Sequence, residues 1–167
     1  MINAFLSLVV INRNNEEALL ETIDDLYLQL KSITKQFELI VVDNSSSDKS
    51  LQLLEKISLS PEYKNIQVYA ISEEVDHQIA AFAGIENALG DFVCVYNQVP
   101  SDKNLMQNLF NNAVEGFDYV YVKNNKEEKG SLSYRMLRSI FRYVYKSINR
   151  RTLERNDPPF KVFSKNL

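Results

Sequence analysis

The sequence predicts an α/β fold: a Rossmann-like, mainly parallel central sheet with helices on both faces. Three observations carry that prediction. Apolar runs rich in Val, Ile and Leu alternate with segments of helical period, the connections between them are short, and each run ends in a cluster of small polar or acidic residues. Alternation of this kind implies parallel strands, because each helix returns the chain to the starting edge of the sheet before the next strand begins. With 167 residues, 45% of them hydrophobic, the chain can build one core and is too short for two comfortable domains.

The first run, "AFLSLVVI" from Ala4 to Ile11, is β-branched and aliphatic, and it hands Asn12 to Asn15 to its carboxyl edge. From Glu16, the residues Leu19, Leu20, Ile23, Leu26, Leu30 and Ile33 recur at three and four, one face of a helix. Glu16 and Glu17 place negative charge at its positive end. "FELIVVD" (Phe37 to Asp43) is the second strand, followed by "NSSSDKS", in which Ser47 or Asp48 suits the cap of a helix bearing Leu51, Leu53, Leu54 and Ile57. Asn65 to Ser72 reads as a third strand. Gln78 to Gly90 reads as a helix whose small residues allow close packing on the sheet, stopped by Gly90. "DFVCVY" is the fourth strand, Asn104 to Val114 the next helix, and Phe117 to Asn124 the fifth strand.

After Asn124 the character changes, which divides the chain into a core over 1–124 and a C-terminal segment over 125–167 packed on it or extending from it. Within 131–151, Leu137, Ile140, Phe141, Val144 and Ile148 share one helical side, while Arg135, Arg138, Arg142 and Lys146 lie largely on another. Such a basic amphipathic helix either packs on the domain with a solvated basic face or meets a membrane surface or a partner. "NDPPFKVFSKNL" adds a turn and one short apolar stretch.

Several function classes drop out. A net charge of −3 and a pI near 5.3 give no global attraction to nucleic acid. The 4 glycines form neither phosphate-binding loop of the Walker type nor the dinucleotide type, and no Cys and His stand at zinc-ligand spacing. Cys94, the lone cysteine, lies in an apolar run and reads as core, in keeping with a reducing cytoplasm. His77, the lone histidine, precedes a helix and reads as a surface or capping residue. The N-terminal apolar run is too short to span a membrane and lacks signal-peptide features, so a cytosolic protein is expected.

In open α/β sheets ligands bind beyond the carboxyl ends of the strands, where the strand order reverses. The candidate segments are therefore Asn12 to Glu16, Asp43 to Asp48, Glu73 to His77 and Asn97 to Asp102. Asp43 ends a hydrophobic strand and precedes four small polar residues, so its carboxylate is placed to accept from a base or ribose, beside the hydroxyls and amides of the loop.

The order of these segments resembles the nucleotide-sugar half of family 2 glycosyltransferases, which have the GT-A fold. The marks are "LSLVVINRNNEE", "ELIVVDNSSSDKSLQLLEKI" and "IAAFAGIENALGDFVCVYN", with "EGFDYVYVKN", "SYRMLRSIFRYVYKSINR" and "PPFKVFSK" similar to the polyprenyl- and dolichyl-phosphate sugar transferases within it. The resemblance implies transfer of a sugar from a UDP- or GDP-linked donor to a lipid-phosphate or glycan acceptor. It implies a nucleotide pocket formed by Asn12, Asn14, Glu16, Asp43, Ser45 and Asn97, with Asp43 on the base and Asn15 at the border. Asn12 stands where the family prefers proline and Asn14 where it prefers tyrosine. The acidic triplet with which the family holds Mg or Mn is replaced by Asn97, Gln98 and Val99, and neutral amides hold hard cations weakly. Asp102, the nearest carboxylate, is the one metal-ligand candidate. The family's catalytic base lies beyond the matched portion, so no catalytic residue is assigned. The alternative implied is a catalytically degenerate GT-A domain that binds nucleotide sugar or serves as a scaffold or regulatory subunit in polysaccharide assembly. A homo-oligomer or a partner glycosyltransferase, and peripheral contact with the inner face of the membrane through 131–151, complete the expectations.

Overall fold

The structure is a computed structural model that describes residues 2–96, 104–122 and 160–165. Asn97, Gln98, Val99, Asp102 and the basic segment 131–151 lie outside the described residues. The chain divides into two compact units, Met1–Val122 with Pro159–Leu167, and Lys123–Pro158; every described residue belongs to the first.

In chain order the described elements are β1 (Leu6–Asn12), α1 (Glu16–Ile33), β2 (Phe37–Asn44), α2 (Ser50–Ser58), β3 (Ile66–Ile71), α3 (His77–Asn87), β4 (Phe92–Tyr96), α4 (Leu105–Val114), β5 (Tyr119–Tyr121) and β6 (Phe160–Ser164). They form a sheet ordered β3-β2-β1-β4-β6-β5, in which β1 to β4 pair in parallel and β6 runs antiparallel to both neighbours. The expected mainly parallel sheet is thus observed. β6 is the short apolar stretch of "PPFKVFSK", whose sequence alone does not announce a partner: Val162 pairs Cys94 on one side and Val120 on the other.

β1 and β2 are hydrophobic along nearly their whole length because both of their faces are covered. Successive side chains alternate between two cores. Leu6, Leu8, Val10, Leu39, Val41 and Cys94 share the larger cluster with α1, α2 and α4, to which Leu26, Leu30, Leu54, Met106 and Phe110 contribute. Val9, Ile40, Val42, Val93 and Val95 pack with Ala80, Ala81 and Ala88 in and just after α3.

The small residues of α3 matter in the way the sequence suggests. A Cβ at Gly84 would stand 2.4 Å from Val9 Cγ1 and 3.0 Å from Val42 Cγ2. Gly90, however, does not stop this helix. α3 ends at Asn87, with Ala88 already extended. Gly90 instead lies against the start of β1, where a Cβ would meet Ser7 Oγ at 2.6 Å and the Phe5 carbonyl oxygen at 2.8 Å. Here a polar network fastens the turn to the sheet. Gly90 N donates to Ser7 Oγ at 2.8 Å, and Ser7 Oγ donates to Glu38 Oε1 at 2.5 Å. Leu89 N and Gln67 Nε2 also donate to the Glu38 carboxylate, at 2.5 and 2.6 Å. Glu38 is only 3% exposed, and these donors are what make a carboxylate tolerable inside a strand.

Candidate functional site

The strand order reverses between β1 and β4, so the carboxyl edge of β1 borders the crevice where α/β sheets take ligands. Register sets what meets there. Asn12 and Asp43 are direct partners across the β1–β2 ladder, and being adjacent on one face they touch: Asn12 Nδ2 donates to Asp43 Oδ1 at 2.9 Å. Ser46 completes the cluster, its hydroxyl donating to Asp43 Oδ1 at 2.6 Å and its N–H to Asp43 Oδ2 at 3.0 Å. Both Asn12 and Asp43 are buried, at 4% and 1% exposure, so Asp43 organises the loop from beneath.

Around this buried pair, the more exposed residues form the rim. Asn14 N donates to Ser46 Oγ at 3.0 Å, while Asn14 Oδ1 accepts from Ser47 N at 2.7 Å. Asn14 and Ser45 both hold left-handed backbone, with φ of 46° and 57°. At Asn14 a short polar residue tolerates that region better than the tyrosine of the family pattern, and such strained positions gather at ligand clamps. Ser45 Oγ lies 3.5 Å from the Ser72 carbonyl oxygen, which draws the loop after β3 toward the same edge. Asn44, within the candidate segment Asp43 to Asp48, fixes that loop more firmly: its side chain donates to the Val75 carbonyl at 2.8 Å and accepts from Val75 N at 3.0 Å.

Glu16 serves two helices. It begins α1, as the dipole argument expects, but its carboxylate accepts from Lys49 N at 2.7 Å, ahead of α2. Asp48 answers in the other direction, accepting from Glu16 N at 3.0 Å and from Ser50 N at 2.9 Å. Burial pushes the Asp48 carboxyl up, but the hydrogen bonds from Ser50 and from the Glu16 backbone outweigh it and hold the group below its ordinary value. His77 opens α3, yet the capping there is done by Asp76, whose Oδ1 accepts from Gln78 N at 2.8 Å. Arg13 and Glu74 form a two-pronged ion pair between the loops after β1 and β3. Asn44, the Ser46–Asn14 bond and this ion pair have no local sequence signature, since each joins segments about thirty or more residues apart in the chain.

The structure therefore brings Asn12, Asn14, Glu16, Asp43 and Ser45 to one edge, while Asn97 lies outside the described residues. Among the described residues no three His, Cys, Asp or Glu come together to hold a metal ion.

The fold has close counterparts among solved structures. A mannosyltransferase from Pyrobaculum calidifontis, solved with GDP-Man and Mn2+, superposes with a TM-score of 0.69 over 99% of this chain and 46% of its own, at 14% identity. Glucosyl-3-phosphoglycerate synthase from Mycobacterium tuberculosis, solved with Mn2+, UDP and phosphoglyceric acid, gives 0.65 over 98% and 57%, at 15% identity. The domain is a GT-A glycosyltransferase fold.

The sequence places it further. The model of "Glycosyl transferase family 2" matches residues 7–165, and the chain belongs to that family. An undecaprenyl-phosphate 4-deoxy-4-formamido-L-arabinose transferase of Pectobacterium carotovorum is 31% identical over 126 residues, 73% of this chain and 38% of that protein. A dolichyl N-acetyl-alpha-D-glucosaminyl phosphate 3-beta-D-2,3-diacetamido-2,3-dideoxy-beta-D-glucuronosyltransferase of Methanococcus voltae is 27% identical over 55% of this chain and 28% of its own. The chain thus spans well under half the length of these curated relatives.

Proposed function

We propose that this chain binds the nucleotide of a UDP- or GDP-linked sugar at the carboxyl edge of β1 and β2 and forms the donor half of a hexosyltransferase acting on a lipid-phosphate or glycan acceptor. The observation that carries the proposal is the Asn12–Asp43–Ser46 cluster beside the reversal of strand order. A nucleobase N–H is a donor of the same kind as the Ser46 hydroxyl, so entry of the base edge exchanges one hydrogen bond to Asp43 for another, at little net cost. Asn14 and Ser45, on the rim, would meet the ribose, and Glu16 would keep both helix starts in register beneath it. The undecaprenyl- and dolichyl-linked substrates after which these relatives are named support the lipid-phosphate acceptor.

In this reading a partner glycosyltransferase or a second copy supplies the acceptor side, at the cytoplasmic face of a membrane that residues 131–151 contact. No described helix is long and apolar enough to cross a membrane. One sequence feature favours a second reading. Asn97, Gln98 and Val99 stand where the family pattern has acids, which suits a domain that binds nucleotide sugar as a scaffold or regulatory subunit without transferring it.

Calorimetry with UDP- and GDP-sugars, with and without Mn2+, tests the shared part. Binding with a Kd of about 1–100 μM, lost in Asp43→Ala and weakened in Ser45→Ala, is expected; no heat at about 1 mM ligand overturns it. Sugar transfer to polyprenyl phosphate by the chain, alone or with its partner, then separates enzyme from binding subunit. Flotation with anionic against neutral liposomes tests 131–151, and equal recovery removes the membrane contact.

A further inference from the structure

The candidate edge has an electrostatic problem. A nucleoside diphosphate brings two or three negative charges, and the described carboxyl edge already carries Glu16, Asp43, Asp48, Glu73, Glu74 and Asp76. At the starts of α1, α2 and α3 several peptide amides are already taken: Glu16 N and Ser50 N by Asp48, Lys49 N by Glu16, and Gln78 N by Asp76. Beside these three helix starts, side-chain cations are the groups best suited to answer the phosphates. Among the described residues of this edge they are Arg13, Lys49 and Lys161, and of these only Arg13 directly follows β1, the strand at which the order reverses.

Arg13 is occupied but not locked. Its Nη1 and Nη2 donate to the two oxygens of Glu74, and since β2 lies between β1 and β3, the pair crosses the end of β2 where Asp43 and Asn44 stand. The side chains are 43% and 55% exposed. Exposed pairs of this kind contribute little, so separating them lowers the affinity of an incoming ligand by no more than about fivefold. A phosphate offers the guanidinium fork the same paired oxygens as a carboxylate, with more charge.

We infer that Arg13 is the diphosphate-binding cation of this chain, parked on Glu74 while the edge is empty and transferred to the ligand's phosphates on binding. The exchange moves no proton and breaks no covalent bond; one bidentate ion pair replaces another. It makes Glu74 an internal competitor of the ligand, and it ties the loops after β1 and β3 together only in the empty protein. The inference rests on the nucleotide-binding reading above and adds to it the residue that reads the diphosphate.

The test compares UDP and GDP with UMP and GMP by calorimetry in EDTA, on the whole chain and on Arg13→Gln, Glu74→Gln and the double variant. Arg13→Gln is expected to weaken the diphosphates about tenfold and the monophosphates less than threefold. Glu74→Gln, which frees Arg13, is expected to tighten the diphosphates by up to about fivefold, and the double variant to behave as Arg13→Gln does. Unchanged diphosphate binding in Arg13→Gln, equal losses for both nucleotide classes, or weaker binding in Glu74→Gln overturns the inference and leaves the nucleotide reading standing. Absence of heat with every nucleotide in the unaltered chain overturns both. Thermal melts of each variant exclude unfolding as the cause.

Discussion

Asp43 is worth more to this protein than its charge. It accepts from Asn12 and twice from Ser46, so truncating it strands a buried amide, a different injury from losing a surface carboxylate. Asp43→Ala is expected to lower the unfolding free energy by about 1–3 kcal/mol in urea titrations, whereas Asn14→Gly, on the exposed rim and compatible with the left-handed backbone there, should cost under about 1 kcal/mol. Cys94 marks the opposite extreme. It is fully buried in the larger cluster, and desolvation pushes its thiol well above the ordinary range. Ellman's reagent at pH 8 should therefore find no reactive thiol in the folded chain and recover Cys94 only in denaturant; rapid labelling of the native protein would contradict the buried position.

Between elements, the reciprocal grip of Glu16 and Asp48 fixes how α1 and α2 begin. Because the Asp48 carboxyl is held below its ordinary value of 3.8, its contribution is fully present above that value and is lost as pH falls through the lower folded one. The melting-temperature difference between the natural chain and Asp48→Asn is accordingly expected to be constant at neutral pH and to close below 3.8; a gap that persists in acid would show that the grip is not ionic. Gly84→Ala forces α3 off the sheet against Val9 and Val42 and is expected to cost about 1–3 kcal/mol. Gly90→Ala should cost at least as much, since Phe5 and Ser7 present backbone atoms that cannot turn aside. The two glycines also show what the sequence discloses. The small-residue character of α3 is a local pattern and was legible as close packing. The position of Gly90 against Ser7 is a long-range contact, and by local rules a glycine after a helix reads as a stop.

At the scale of the whole molecule the same distinction holds. Apolar runs and three-four spacing are local, so β1 to β4 and the four described helices were legible, as was the arrival of Asn12, Asp43 and Glu16 at one edge. That Asn12 touches Asp43, that Glu38 is held by Ser7, Gln67 and Leu89, and that Arg13 pairs with Glu74 depend on register and strand order, which no short stretch encodes. β6 is the clearest case, a five-residue strand with no hairpin turn to announce its partners. A chain ending at Pro158 leaves β4 with an unpaired edge and β5 without a neighbour. It is expected to lose cooperative unfolding and to elute as aggregates in size-exclusion chromatography.

The insertion of β6 also has a consequence in time. Synthesis runs from the N-terminus, so β1, β2, β3 and β4 can assemble as soon as Tyr96 has left the ribosome, whereas the partner of Cys94 is Val162 and emerges only after all of 123–158. Until then the nascent chain holds a half-built sheet with the Asn12–Asp43 edge already in place and the outer flank of β4 open. The outer edge of β4 therefore stays open for the whole time that 123–158 are being synthesised, and closes only when β6 arrives.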